Sequence, residues 1–162
     1  MGKNEYIELS IWVVSIALML FFIPRARIRE AAVSFMFTQL LSWILGYLVV
    51  YFGLLSYPKH FFATATDTSF TYEFLAFPAI SAIMNVHFPT GKPVWLQIGY
   101  WLLFPTVLTL VEIVLVHYTN LILYIHWAWY ISWISIAATM LLAFAFHNWF
   151  VTGSWKRPRR MA

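Results

Sequence analysis

Between Trp95 and Phe150 the only Asp, Glu, Lys or Arg is Glu112. So long a stretch with one formal charge reads as an apolar hairpin, residues 95–118 and 125–150 joined by a short turn. Such a hairpin has to bury itself in something other than water. The rest of the chain agrees. Of 162 residues, 62% are hydrophobic and 10% charged, where a soluble domain carries about 25% charged residues. That is too little polar side chain to coat a water-facing surface, and lipid is the expected solvent.

A helix needs about 20 apolar residues to cross about 30 Å of hydrocarbon. Three further runs approach that length. They are residues 6–23, closed by Pro24, residues 31–57, closed by Pro58, and residues 71–88, which contain Pro78 and Asn85. The expected fold is all-α: a single domain over 1–162 built as a bundle of five transmembrane helices at 6–23, 31–57, 71–88, 95–118 and 125–150. No Gly/Ser/Pro-rich linker or internal repeat divides it. Residues 58–70, rich in Thr with Asp and Lys, read as a loop.

Charge decides the status of residues 71–88. With five spans and the N-terminus outside, Arg25, Arg27, Arg29, Lys92, Lys156, Arg157, Arg159 and Arg160 all fall inside, leaving only Lys3 and Lys59 outside. This is the positive-inside pattern. Were 71–88 re-entrant, Lys92 and the C-terminal cluster would be outside and the pattern would invert. The expected orientation is therefore N-terminus outside and C-terminus cytoplasmic. The same placement accounts for the net charge of +4 without nucleic acid as a partner. Only Lys3 precedes the first apolar run and no small-residue cleavage site follows it, so that run reads as a retained helix and not as a signal peptide. The absence of cysteine excludes disulfides, thiolate metal sites and dithiol chemistry.

In lipid, apolar side chains gain little from one another, and helix contacts rest on small residues and interhelical hydrogen bonds. Ser34, Thr38, Ser42 and Gly46 recur at spacings of four and lay one narrow stripe along a helix. Ser135, Thr139 and Ala143 form a second. Close helix packing is the expected use, with a polar translocation path as the alternative. Pro78 and Pro105 each remove a backbone donor inside a span and predict a kink. Most of the nine Trp, nine Tyr and fifteen Phe suit interfacial belts. Trp43 and Trp133 lie deeper and are candidate cavity residues.

The acids are polarised. Glu5, Glu8, Asp67, Glu73 and Glu112 fall in the outer half, with His60, His117 and His126; only Glu30 among the acids falls inside, with His87 and His147. A charged residue within a span costs about 2.5–3.5 kcal/mol on insertion scales, so Glu112 needs a partner or a purpose. Thr109 lies one turn below it. His117, five positions on, projects away, and His126 across the turn is the expected partner. Glu73 and Glu8 join if their helices meet there.

Three readings are open. Glu112 is neutral, or paired with His126 or a Tyr hydroxyl, and locks helices together, with Glu8 and Glu73 as first-turn acids favoured by helix dipoles. Or an outward-facing site holds a proton, a cation or a small hydrophobic ligand, with Glu112, His126, Glu73, Glu8, Trp133 and Thr109 around it; carboxylate with imidazole also suits zinc or manganese, with Glu112, His126 and Glu73 as candidate ligands. Or Glu112 serves a membrane-embedded, lipid-modifying or metal-dependent enzyme. The chain contains no H-E-x-x-H helix, G-x-S-x-G elbow, glycine-rich phosphate cradle or mid-helix lysine. The preferred expectation is the binding site, with membrane lipids around it. An accessory subunit meeting another membrane protein, or a second copy of itself, is the alternative.

The segments Tyr72-Glu73-Phe74-Leu75-Ala76-Phe77-Pro78 and Tyr124-Ile125-His126-Trp127-Ala128-Trp129-Tyr130, with Glu112 followed by His117-Tyr118, resemble a family of small Trp-rich polytopic membrane proteins of spore-forming Gram-positive bacteria. The resemblance covers most of the chain. It implies a plasma-membrane location and no particular reaction, and it draws attention to Glu73, Glu112 and His126. In size and aromatic content the chain is also similar to the tryptophan-rich sensory protein/translocator family, whose five-helix members bind porphyrins and sterol-like ligands. It lacks that family's Trp-Pro-rich signature in the first half.

Overall fold

The structure, a computed structural model, describes residues 3–58, 68–119 and 121–155. It is all-α, with helices α1 (Lys3–Phe22), α2 (Ile28–Tyr51), α3 (Phe70–Val86), α4 (Val94–Tyr118) and α5 (Trp129–Trp155). All but α3 are long and apolar enough to cross a membrane. Lys59, His60, Asp67 and the basic residues Lys156, Arg157, Arg159 and Arg160 lie outside the described residues.

The short helix α3 packs against each of the other four, most extensively against α2. Its polar residues Thr71, Glu73, Ser81 and Asn85 are all buried. Facing lipid, each would carry an insertion penalty; sheathed by other helices, they can find partners. The long helices carry the exposed apolar surface, with such residues as Leu20, Phe21, Met36, Leu110 and Ile134. Trp43, half exposed at 51%, does line a cavity, an open apolar one between α2, Phe74 and Phe146 and separate from the acids.

The Ser34–Gly46 stripe is the seam between α2 and α3. Asn85 Nδ2 donates to Ser34 Oγ at 2.6 Å, the Thr38 and Ser81 hydroxyls meet at 3.0 Å, and Ser42 Oγ donates to the Glu73 carbonyl at 2.6 Å. Gly46 faces the Glu73 carboxyl itself. The partners run backwards along α3, as antiparallel helices require. On α5, Thr139 and Ala143 are buried.

Pro78 changes the pitch of α3. Residues Phe70–Ala76 wind as a wide π-helix and Phe77–Val86 as a regular α-helix. Pro78 has no N–H to offer the carbonyls of Phe74 and Glu73, four and five residues before it. Both are satisfied from α2: Gln39 Nε2 donates to Phe74 O at 2.9 Å and Ser42 Oγ to Glu73 O. Pro105 sits within a continuous α4.

Two ends are distinguishable. At one, the turn Arg25–Arg27 joins α1 to α2. Arg27 pairs with Glu30 at 2.8 Å and donates to the carbonyl of Val86, where α3 ends. His147 of α5 lies within electrostatic reach of both. At the other end, Gly53 adopts φ 65° and closes α2, with Leu54 N–H returning to Val49 O at 3.0 Å. The chain then forms β1 (Leu55–Ser56), antiparallel to β2 (Leu123–Tyr124), with Leu55 opposite Tyr124. The expected spans 31–57 and 125–150 are thus trimmed on this side. Residues 52–57 and 123–128 leave the helices to build a clasp, tied further by the N–H groups of Ile125 and His126 donating to Leu54 O, both at 3.1 Å.

Candidate functional site

Beneath the clasp lies a cavity of about 240 Å³. Its polar wall comes from four parts of the chain: Ser42 and Gly46 on α2, Tyr72 and Glu73 on α3, Glu112 on α4, and Ser132, Ser135 and Thr139 on α5. Leu55 of β1 and Tyr57 just after it, with Ile122 and Trp127 around β2, close it from above. Glu73 and Glu112, thirty-nine residues apart and on different helices, therefore share one chamber. They are 4% and 5% exposed, so neither reaches bulk water directly.

Glu112 is held by a small network. Ser132 Oγ donates to Glu112 Oε1 at 2.6 Å and Tyr124 OH donates to the same oxygen at 2.7 Å. Trp127 Nε1 donates to Ser132 Oγ at 2.7 Å. The β1–β2 clasp places Tyr124, and the first turn of α5 places Ser132. Of the two expected partners, His126 or a Tyr hydroxyl, Glu112 thus has the hydroxyl, while His126 is exposed. His126 serves the clasp through its backbone, and the expected Glu112–His126 pair is corrected accordingly.

Glu73 accepts from the hydroxyls of Tyr57 and Thr68. Among the described residues its Oε2 is buried without a hydrogen-bond partner, as is the Tyr72 hydroxyl. Tyr57 lies within reach of both carboxyls; burial first, then the Glu73 and Glu112 charges, hold its phenol well above the ordinary range. Burial likewise raises the Tyr124 phenol, with Glu112 adding to the effect.

The remaining expected residues go elsewhere. Glu8 is buried on α1 but is not part of the cavity wall. Its helix joins α3 through Trp12 Nε1, which donates to Thr71 Oγ1 at 3.1 Å. Thr109 donates to Pro105 O of its own helix at 2.8 Å. Trp133 bridges α5 to α4 by donating to Thr106 Oγ1 at 3.1 Å. Among the described residues no three of His, Asp and Glu gather in metal-binding range, so Glu112, Glu73 and His126 do not form a ligand set.

Sequence reasoning missed Tyr57, Tyr72, Tyr124, Trp127 and Ser132. Ser132 was within reach, since it lies three residues before Ser135 and seven before Thr139, on the same helical face. Tyr57 carried no such signal. It reaches the cavity only because the chain turns back after Gly53.

No family model matches this chain, and no curated protein or solved structure matches it.

Proposed function

We propose that this chain is a multi-pass protein of the cell membrane that holds a small ligand, a proton or a cation between Glu73 and Glu112. The observation that carries this reading is the convergence of two buried carboxyls from α3 and α4 on one cavity. A helix lock needs one acid and its donors, as Glu112 has. A second acid with an unsatisfied oxygen, across a void, is costly unless something enters to meet it.

The orientation follows from charge. Arg25, Arg27, Arg29 and Lys92 mark one end as cytoplasmic by the positive-inside rule, so the clasp and the cavity beneath it face outward, with the N-terminus outside. The short, protein-sheathed α3 serves as the fifth pass. The likeness to the Trp-rich membrane proteins of spore-forming bacteria supports the same location.

Thermal unfolding of detergent-purified protein across pH and a panel of small solutes tests the reading. The wild type should be stabilised by protonation or by at least one solute, and Glu73→Gln or Glu112→Gln should abolish the response. Carboxamide variants that behave as the wild type under every condition would reduce both acids to helix locks.

A further inference from the structure

The cavity has a chemical character beyond its two acids. Tyr57, Tyr72, Phe77 and Trp127 present aromatic rings to it, and Leu45, Val49, Leu55, Ile122 and Ile136 complete an apolar wall. Among the described residues that line it there is no Lys, Arg or His. Two carboxyl groups and four aromatic residues thus line a space to which the described residues bring no basic side chain.

The unsatisfied atoms narrow the ligand. Glu73 Oε2 is an acceptor when ionised, and the Tyr72 oxygen can accept or donate. Both belong to the wall of the same cavity. Glu112 Oε1, by contrast, already takes two donors from the protein. Among the described residues, Glu73 Oε2 and the Tyr72 hydroxyl therefore offer open hydrogen-bonding capacity. An occupant that fits brings N–H donors there and an apolar body for the remaining wall.

Size sets the other limit. A water occupies about 30 Å³ of liquid, so a cavity of about 240 Å³ takes on the order of eight waters, or a ligand with a comparable number of heavy atoms. A hydrated metal ion fits poorly, because the lining is mainly apolar and, among the described residues, no third acid or imidazole joins the two carboxyls.

From this geometry, and resting on the binding reading above, we infer that the cavity takes a small primary alkylammonium ion, its nitrogen donating to Glu73 Oε2 and the Tyr72 hydroxyl and its short chain lying among Val49, Leu55, Ile122 and Ile136. Glu112 supplies a second carboxyl to the same chamber. The aromatic rings favour the cation over a neutral molecule of the same shape.

Isothermal titration of the purified full chain in detergent decides the matter, with n-butylammonium, n-butanol, tetramethylammonium and potassium as probes. Butylammonium should bind saturably. Butanol, its neutral counterpart, and potassium should not, and tetramethylammonium, which has no N–H, should bind more weakly. Glu73→Gln should weaken butylammonium on the order of tenfold or more, as expected for loss of a charged hydrogen-bond partner. Tyr72→Phe should weaken it by less. Should Glu73→Gln fail to fold, the Tyr72→Phe variant and the butanol comparison still decide.

Equal binding of butanol and butylammonium, or potassium alone binding through Glu73, would overturn the ammonium assignment while leaving a carboxyl-lined binding cavity. Absence of any binding, together with a wild-type pH response in Glu73→Gln and Glu112→Gln, would overturn both.

Discussion

The carboxyl of Glu73 occupies the space that a β-carbon on residue 46 would need, so Gly46 is what lets α2 and α3 close around the cavity wall. In an ordinary helix interior Gly is worse than Ala by about 1 kcal/mol. Here that cost accompanies a close approach between a backbone and a hydrogen-bonded acid.

That relationship predicts a change of sign. Gly46→Ala alone should destabilise the protein by about 1–3 kcal/mol, because Glu73 must leave the Tyr57 and Thr68 hydroxyls to make room. In a Glu73→Ala background the same substitution should be neutral or stabilising by up to about 1 kcal/mol. Thermal or denaturant unfolding of the four proteins in detergent gives the coupling. Equal effects in both backgrounds would mean that the side chain yields freely.

The Pro78 arrangement can be tested in the same way. Ser42→Ala and Gln39→Leu each leave a carbonyl of α3 without its donor and should cost about 1 kcal/mol. With Pro78→Ala, the restored N–H can serve one of those carbonyls. The combined loss should then shrink, which a double-mutant cycle reads directly.

The donors to Glu112 should act non-additively. Ser132→Ala or Tyr124→Phe leaves Oε1 one donor, at about 1 kcal/mol each. Removing both strips the buried oxygen and should cost more than the sum. Ser132→Ala also frees the Trp127 indole N–H, so the intrinsic fluorescence should shift in that variant and not in Tyr124→Phe.

Alkaline pH should weaken the fold through Tyr57 and Tyr124. Their folded-state phenols titrate above the ordinary value, whereas in the unfolded chain they titrate near about 10. Below that pH both states are protonated and the contribution is fully present. As pH rises past it, the unfolded chain loses protons that the folded one keeps, and stability falls. The unfolding temperature should be flat with respect to these groups up to about pH 9 and decline beyond about pH 10. Tyr57→Phe and Tyr124→Phe should each flatten the decline; an unchanged slope in both would disconnect these phenols from it.

Orientation is open to chemical labelling, since the chain has no cysteine of its own. Leu123 on the clasp and Thr90 between α3 and α4 are both exposed and lie at opposite ends of the bundle. A membrane-impermeant maleimide should modify Leu123→Cys in intact cells and reach Thr90→Cys only after permeabilisation. The reverse pattern would turn the cavity toward the cytoplasm.

The long apolar helices were readable from the chain alone because their cause is local. Runs of hydrophobic residues bounded by prolines such as Pro24 and Pro93 dictate helices wherever they are placed. The Ser34–Gly46 stripe was readable for the same reason, since a spacing of four always lies on one helical face. Glu73 and Glu112 stood out as acids in apolar surroundings. Which side chains meet them was a tertiary matter. The sequence distance from Tyr57 to Glu73, or from Tyr124 to Glu112, says nothing until α2 ends at Gly53 and β1 pairs with β2. That clasp draws Tyr57, Tyr124 and Trp127 inward while turning the His126 ring outward. The central place of α3 was likewise a result of packing: too short to stand in lipid and lined with Thr71, Glu73, Ser81 and Asn85, it is stable only where four longer helices enclose its polar groups.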